Sequence, residues 1–251
     1  MSDAIRFLKE KIGFLCSFAL AKGVVFLAPL LVAEILSKDD FGILLTTANQ
    51  DTIGAVTIKK IIAIDKTLYA ATSQGIAISF DGGKNWQFSL KDNFINDIYI
   101  NGDSIYAATY GNGLYISNDT GQTWLQVTTD NGLISNNTKS VIFANNTLYI
   151  GTGNGLSILE NYNGTWKAKT DYNDLQSEVI NKLFYYNNTL YAATNNDGLF
   201  ISDDNANTWV VKNLSNSNLA NNITYDVFVN KNAIYVATHS GVSILTTNSN
   251  Y

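Results

Sequence analysis

The chain has 251 residues, 46% of them hydrophobic and 15% charged, with a formal net charge of −5. That leaves room for one folded domain with a substantial core, and it excludes a disordered chain. No basic run exceeds Lys59-Lys60, which excludes nucleic acid as a partner, since phosphate binding needs a clustered positive face. Cys16 is the single cysteine, so an internal disulfide and a thiolate-paired zinc site are excluded as well. Asn, Thr, Ser, Gly and Tyr are abundant, the composition of many short strands joined by polar turns.

In chain order, residues 1–45 come first, as a segment of their own. Residues 12–36 are apolar apart from Ser17, Lys22 and Glu34, and they carry the only proline, Pro29. A span of this length can cross a bilayer. Arg6, Lys9 and Lys11 precede it while Asp39 and Asp40 follow, which predicts a cytoplasmic N-terminus and an extracytoplasmic (periplasmic or cell-surface) remainder. Three readings stay open: a membrane anchor, a signal peptide cleaved at Ala21 after the small-x-small Ala19-Leu20-Ala21, and a helix buried on a soluble protein. The stretch FLAPLLVAEILSKDDFGIL (Phe26 to Leu44) resembles the first helix of polysaccharide (O-antigen) flippases. The resemblance stops there, so it implies membrane insertion or a gene-fusion remnant, and not transport.

Residues 46–251 are dominated by a repeat. LYAAT (Leu68 to Thr72) returns as IYAAT (Ile105 to Thr109), LYIGT (Leu148 to Thr152), LYAAT (Leu190 to Thr194) and IYVAT (Ile234 to Thr238). The tyrosines Tyr69, Tyr106, Tyr149, Tyr191 and Tyr235 are spaced by 37, 43, 42 and 44 residues, the period of a four-stranded propeller blade. The second copy reads as four strands, DIYIN, SIYAATY, GLYIS and TWLQV, whose apolar-polar alternation argues for sheets. After each threonine a glycine opens the third strand: Gly75, Gly113, Gly155, Gly198 and Gly241. Eleven residues beyond the first four of these stand Trp86, Trp124, Trp166 and Trp209. The prediction is an all-β fold, a β-propeller of five four-stranded blades behind an N-terminal hydrophobic helix. The repeats fall at about 58–94, 95–136, 137–178, 179–222 and 223–251.

Two families share these residues. SFDGGKNW (Ser79, Asp81, Gly83, Trp86), SNDTGQTW (Ser117, Asp119, Gly121, Trp124) and SDDNANTW (Ser202, Asp204, Trp209) resemble the Asp-box of sialidase-like and related propellers. Ala206 replaces the glycine of the last, and LENYNGTW in the third copy lacks the Ser and Asp. NGLISNNTKSVIFANNTLYIGTGNGLSIL (Asn131 to Leu159) resembles the repeat of two-component-regulator propellers, extracellular sensor modules. An aspartate recurring in successive blades is a structural part, because a catalytic residue is needed once. We therefore expect Asp81, Asp119 and Asp204 to cap turns and the tryptophans to pack beneath them.

The fifth copy ends before its Trp position, and GILLTTANQDTI (Gly42 to Ile53) has the same layout. Residues 52–57 are accordingly expected to supply the missing outer strand, since open sheet edges are a liability. An incomplete sixth blade is the alternative.

Chemistry is sparse. The resemblance to sialidases would demand three arginines on the substrate carboxylate, and the chain has one, Arg6, ahead of the apolar segment. His239 is the only histidine, which excludes a multi-histidine metal site, and it reads as a partly exposed loop residue with no visible partner. Glu160 and Glu178 are the only glutamates beyond residue 45, and the aspartates sit in turns. Gly111-Asn112-Gly113 and Gly151-Thr152-Gly153 read as strand 2–3 turns and not as phosphate loops, so no cofactor and no metal are expected. Recognition remains. The strand 2–3 turns vary while their flanks repeat, and they offer Gln74, Tyr110, Asn112, Asn154, Asn195, Asp197 and His239. Such a set suits a neutral glycan or a protein loop. The function expected is a membrane-anchored, non-enzymatic binding module, sensor-like by analogy. A scaffold or assembly factor of a membrane complex, and a fusion product without selected function, are the alternatives.

Overall fold

The computed structural model describes residues 56–162, 165–168, 175, 178–231 and 233–246. The anticipated membrane segment, the flippase-like stretch and most of the closing strand 52–57 lie outside these residues. Among the described residues no helix is long and apolar enough to cross a membrane. Their only helical element is a single 3-10 turn at Thr129–Asn131.

The rest is β. The first sheet pairs β1 (Ile58–Ile64), β2 (Thr67–Thr72), β3 (Gly75–Ser79) and β4 (Gln87–Ser89) in chain order. The second does the same with β5 (Ile95–Asn101), β6 (Ser104–Thr109), β7 (Leu114–Ser117) and β8 (Leu125–Val127). β9 (Thr138–Ala144), β10 (Thr147–Thr152), β11 (Gly155–Tyr162) and β12 (Thr165–Ala168) make the third. β13 (Ile180–Tyr186), β14 (Thr189–Thr194), β15 (Leu199–Ser202) and β16 (Val210–Lys212) make the fourth. Three strands, β17 (Thr224–Val229), β18 (Ala233–Thr238) and β19 (Gly241–Thr246), make the fifth among the described residues.

Chain-order antiparallel pairing follows from tight turns between short strands. Between β9 and β10 the turn is Asn145-Asn146, and between β13 and β14 it is Asn187-Asn188. Both residues of each pair have φ between +49° and +64°. Asparagine tolerates that left-handed region, and two such residues in a row give the hairpin twist that strands need.

The described residues divide into two compact units, one running to Ile105 together with Ser117–Trp124, the other Tyr106–Ile116 together with the described residues from Leu125 onward. In the first, β2 is buried over Leu68–Thr72 and β3 over its whole length. Alternation therefore gives way to burial on both faces in the central strands, and Ala70 and Ala71 are the small residues that let neighbours approach. Lys60 Nζ lies 2.7 Å from Asp97 Oδ1 and donates to the Ile98 carbonyl at 2.8 Å.

In the second unit the fourth and fifth sheets share a core of Tyr191, Leu199, Ile201, Leu219, Val227, Ile234 and Val236. The inner strands β9, β13 and β17 lie side by side. Gly151 stands where the other copies have alanine because a Cβ there would come within 2.6 Å of Ile180 Cγ2 on the neighbouring sheet. Gly151 and Thr152 thus belong to β10, and only Gly153-Asn154 forms the turn, a correction to the tripeptide expected from sequence.

Candidate functional site

Two sets of turns recur, and their construction differs. The first set joins strands 3 and 4. Ser117 Oγ donates to Asp119 Oδ1 at 2.7 Å and accepts from the Gly121 N–H at 2.8 Å. The same carboxylate accepts from the N–H groups of Gln122 and Thr123 and, at 2.6 Å, from the Thr123 hydroxyl. Ser79 and Asp81 repeat the arrangement, with Asn85 supplying backbone and side-chain donors. Ser202 and Asp204 repeat it again, with Ala206, Asn207 and Thr208 as donors. Ala206 holds φ +66° where the other copies place Gly83 and Gly121.

These bonds stabilise the ionised carboxylates. Bonds from Asn85 hold Asp81 at about 2, and bonds from Thr123 hold Asp119 at about 2. For Asp204, burial pushes upward but the combined bonds from Thr208, Ser202 and Asn207 outweigh it, again to about 2.

Trp86, Trp124 and Trp209 are half-buried and precede their fourth strands, which start at Gln87, Leu125 and Val210. The strand expected to begin at Thr123 therefore starts two residues later, because the Thr123 N–H and hydroxyl are bound to Asp119. Trp86 Nε1 donates to the Gly83 carbonyl and Trp124 Nε1 to Ser89 Oγ, each at 2.9 Å.

The second set joins strands 2 and 3 and carries the candidate ligand residues. Here one threonine does the holding in every sheet. The hydroxyls of Thr72, Thr109, Thr152, Thr194 and Thr238 donate to the carbonyls of Gly75, Gly113, Gly155, Gly198 and Gly241, at 2.7 to 2.9 Å. They also accept from the backbone N–H of Gln74, Asn154, Asp197 and Ser240 in four of the five. All five glycines have positive φ. Four turns are tied by a second backbone bond to the residue entering strand 1: Ser73 to Thr57, Gly153 to Asn137, Asn195 to Val179 and His239 to Ile223. The threonine's role escaped the sequence reading, although its recurrence in all five copies was the available signal.

Gln74 lies in the first unit; Tyr110, Asn112, Asn154, Asn195, Asp197 and His239 lie in the second. All occupy the same end of their second strands. Tyr110 is 67% exposed, and Asn112, Asn154, Asp197 and His239 are exposed as well.

Three side-chain arrangements in the second unit were not visible in the sequence. His239 has a partner after all, since its Nδ1 lies 2.9 Å from Tyr225 Oη, with the rings 6.3 Å apart. Asp197 is not only a turn residue. It stands near Glu178, whose carboxyl is pushed up by burial and then by the neighbouring Asp197. Lys139 Nζ donates to Asn181 Oδ1 at 3.3 Å, and Asn181 Nδ2 donates to the Thr224 carbonyl at 2.8 Å, a chain running across β9, β13 and β17. Each pair joins residues far apart in sequence or on different strands, so no local motif announces it. Among the described residues no group of three or more His, Cys, Asp or Glu could hold a metal.

No family model and no curated protein matches the chain. Solved structures do. PorZ, an essential bacterial surface component of the type-IX secretion system of Porphyromonas gingivalis, is similar at 16% identity and a TM-score of 0.64, over 78% of this chain and 33% of that one. A GH74 enzyme of Niastella koreensis is similar at 16% identity and 0.58, over 77% and 36%. YCF48 bound to D1 peptide is similar at 15% identity and 0.52, over 74% and 63%. The chain spans about a third of the length of PorZ and of the GH74 enzyme. At these identities the likeness establishes the fold alone, a propeller-like assembly of four-stranded antiparallel sheets.

Proposed function

We propose that this chain is a non-enzymatic, five-bladed propeller that binds a protein or a neutral glycan outside the cytoplasm, anchored through residues 12–36. One observation carries the recognition reading. Every strand 2–3 turn is held by its threonine and by backbone bonds, so the varied side chains between are not needed to form it. The amides, the exposed Tyr110 and the Tyr225–His239 pair suit sugar hydroxyls and apolar sugar faces. The likeness to PorZ, a bacterial surface component, supports an extracytoplasmic setting.

Sialidase hydrolysis is disfavoured on chemical grounds, since three arginines would hold the substrate carboxylate and the chain has one, Arg6. A thermal-shift panel of neutral malto-, cello-, xylo- and manno-oligosaccharides tests the glycan reading. A shift that Tyr110→Ala and His239→Ala remove supports it, and a shift that survives both refutes it. The scaffold reading is favoured by YCF48, which was solved with a bound peptide. Its test is a displayed peptide library: selected peptides should lose binding in the same two variants.

A further inference from the structure

We propose that the end of the inner strands around Lys139 and Asn181 is an anion site that takes a carboxylate group. This rests on the recognition reading and extends it from neutral ligands to one that carries an acidic group.

Lys139 is the second residue of β9 and Asn181 the second of β13, and the two strands lie side by side. An ammonium carries three donors. Among the described residues the partner of this one is Asn181 Oδ1, a neutral acceptor at 3.3 Å. The amide nitrogen of Asn181 is directed to the Thr224 carbonyl, which fixes its oxygen toward Lys139. Lys139 is half-buried, and burial lowers its pKa with no carboxylate acting against the shift.

Lys60 shows how the same fold neutralises a lysine on an inner strand: Asp97 lies 2.7 Å away. Among the described residues Lys139 has no such counter-charge. A partly desolvated cation without an anion costs stability, and a ligand carboxylate would supply both the charge and acceptors for the remaining donors. A single ammonium beside a single amide matches one negative charge. A phosphate would call for further cations or the forked donors of arginine.

The test uses the full chain at constant ionic strength, with sodium D-glucuronate, sodium acetate and D-glucose as probes in calorimetry and thermal shift. Glucuronate is expected to bind and glucose to bind at least tenfold more weakly, the effect of one charge-assisted hydrogen bond. Acetate binding as well as glucuronate would place the recognition in the carboxylate alone. Weaker acetate binding would add the sugar to it.

Lys139→Met should remove the glucuronate response while holding or raising the melting temperature of the ligand-free protein, because it removes an uncompensated charge. Lys139→Arg should keep the response. Absence of any carboxylate response, or one that survives Lys139→Met, would overturn the proposal. Neutral oligosaccharide binding at Tyr110 and His239 would stand in that case, so the two readings fail separately.

Discussion

The strand 3–4 turns and the strand 2–3 turns are built on opposite principles. In the first, side chains make the turn. Ser117 and Asp119 take up four backbone N–H groups, Ser202 and Asp204 three, and Ser79 and Asp81 two, so little sequence freedom remains. In the second, one threonine and the backbone make the turn, and the intervening residues differ in all five sheets. A scaffold whose variable residues are relieved of structural work can change its ligand without changing its fold.

The third sheet sharpens the point. Without Ser or Asp, its β11 continues to Tyr162, with Leu159 opposite Ala168, Asn161 opposite Trp166 and Tyr162 opposite Thr165. The sequence between the last pair is Asn-Gly, a dipeptide favoured in two-residue hairpin connections. A side-chain-held turn and a backbone-paired hairpin thus satisfy the same eleven-residue Gly-to-Trp spacing.

The largest effect is expected where backbone geometry holds a variable turn. Gly113 has φ +78°, and a Cβ there would collide with the Val127 carbonyl. Gly113→Ala should cost about 2–4 kcal/mol in denaturant unfolding, from the left-handed conformation plus the clash. Asn154→Ala in the neighbouring turn of the same class should stay within about 0.5 kcal/mol, as an exposed side chain outside the hold. A large loss for Asn154→Ala would break the distinction.

Next comes the other class. Ser117 is buried, and Ser117→Ala leaves the Gly121 N–H without its acceptor, which should cost about 1–3 kcal/mol.

Acid should act on this class as well. Asp81, Asp119 and Asp204 have folded pKa values near 2, below their unfolded values near 4. Their contribution is therefore present above about pH 4 and lost as pH falls toward 2. Melting temperature followed from pH 5 to pH 2 should drop, and the triple Asp→Asn variant should lose part of that dependence.

The smallest effect is expected for Ala206→Gly. Relief of a left-handed alanine opposes the loss of a buried methyl and the added freedom of the unfolded chain, leaving a net change within about 0.5 kcal/mol.

Period-42 repeats made the sheets legible because each repeats one pattern of strand, turn and strand. The Asp turns were legible because their donors and acceptors lie within seven residues. What could not be read was whatever joins separate strands. Tyr225 reaches His239 across 14 positions, Lys139 reaches Asn181 across 42, and Asp197 raises the pKa of Glu178. Local spacing holds no record of such pairings, since they exist only once the sheets are assembled. The double burial of β2 was likewise hidden, because the sequence shows apolar residues but not which faces are covered.

The central claim is that the Asp turns form the frame and the strand 2–3 turns do the recognising. The most direct measurement compares two variants on one oligosaccharide ligand from the panel, by calorimetry on protein shown to be folded. Asp119→Ala should bind with unchanged affinity despite a lower melting temperature. The Tyr110→Ala, Asn195→Ala, His239→Ala triple variant should keep its melting temperature and lose binding. Loss of binding in folded Asp119→Ala, with full binding in the triple variant, would contradict the account.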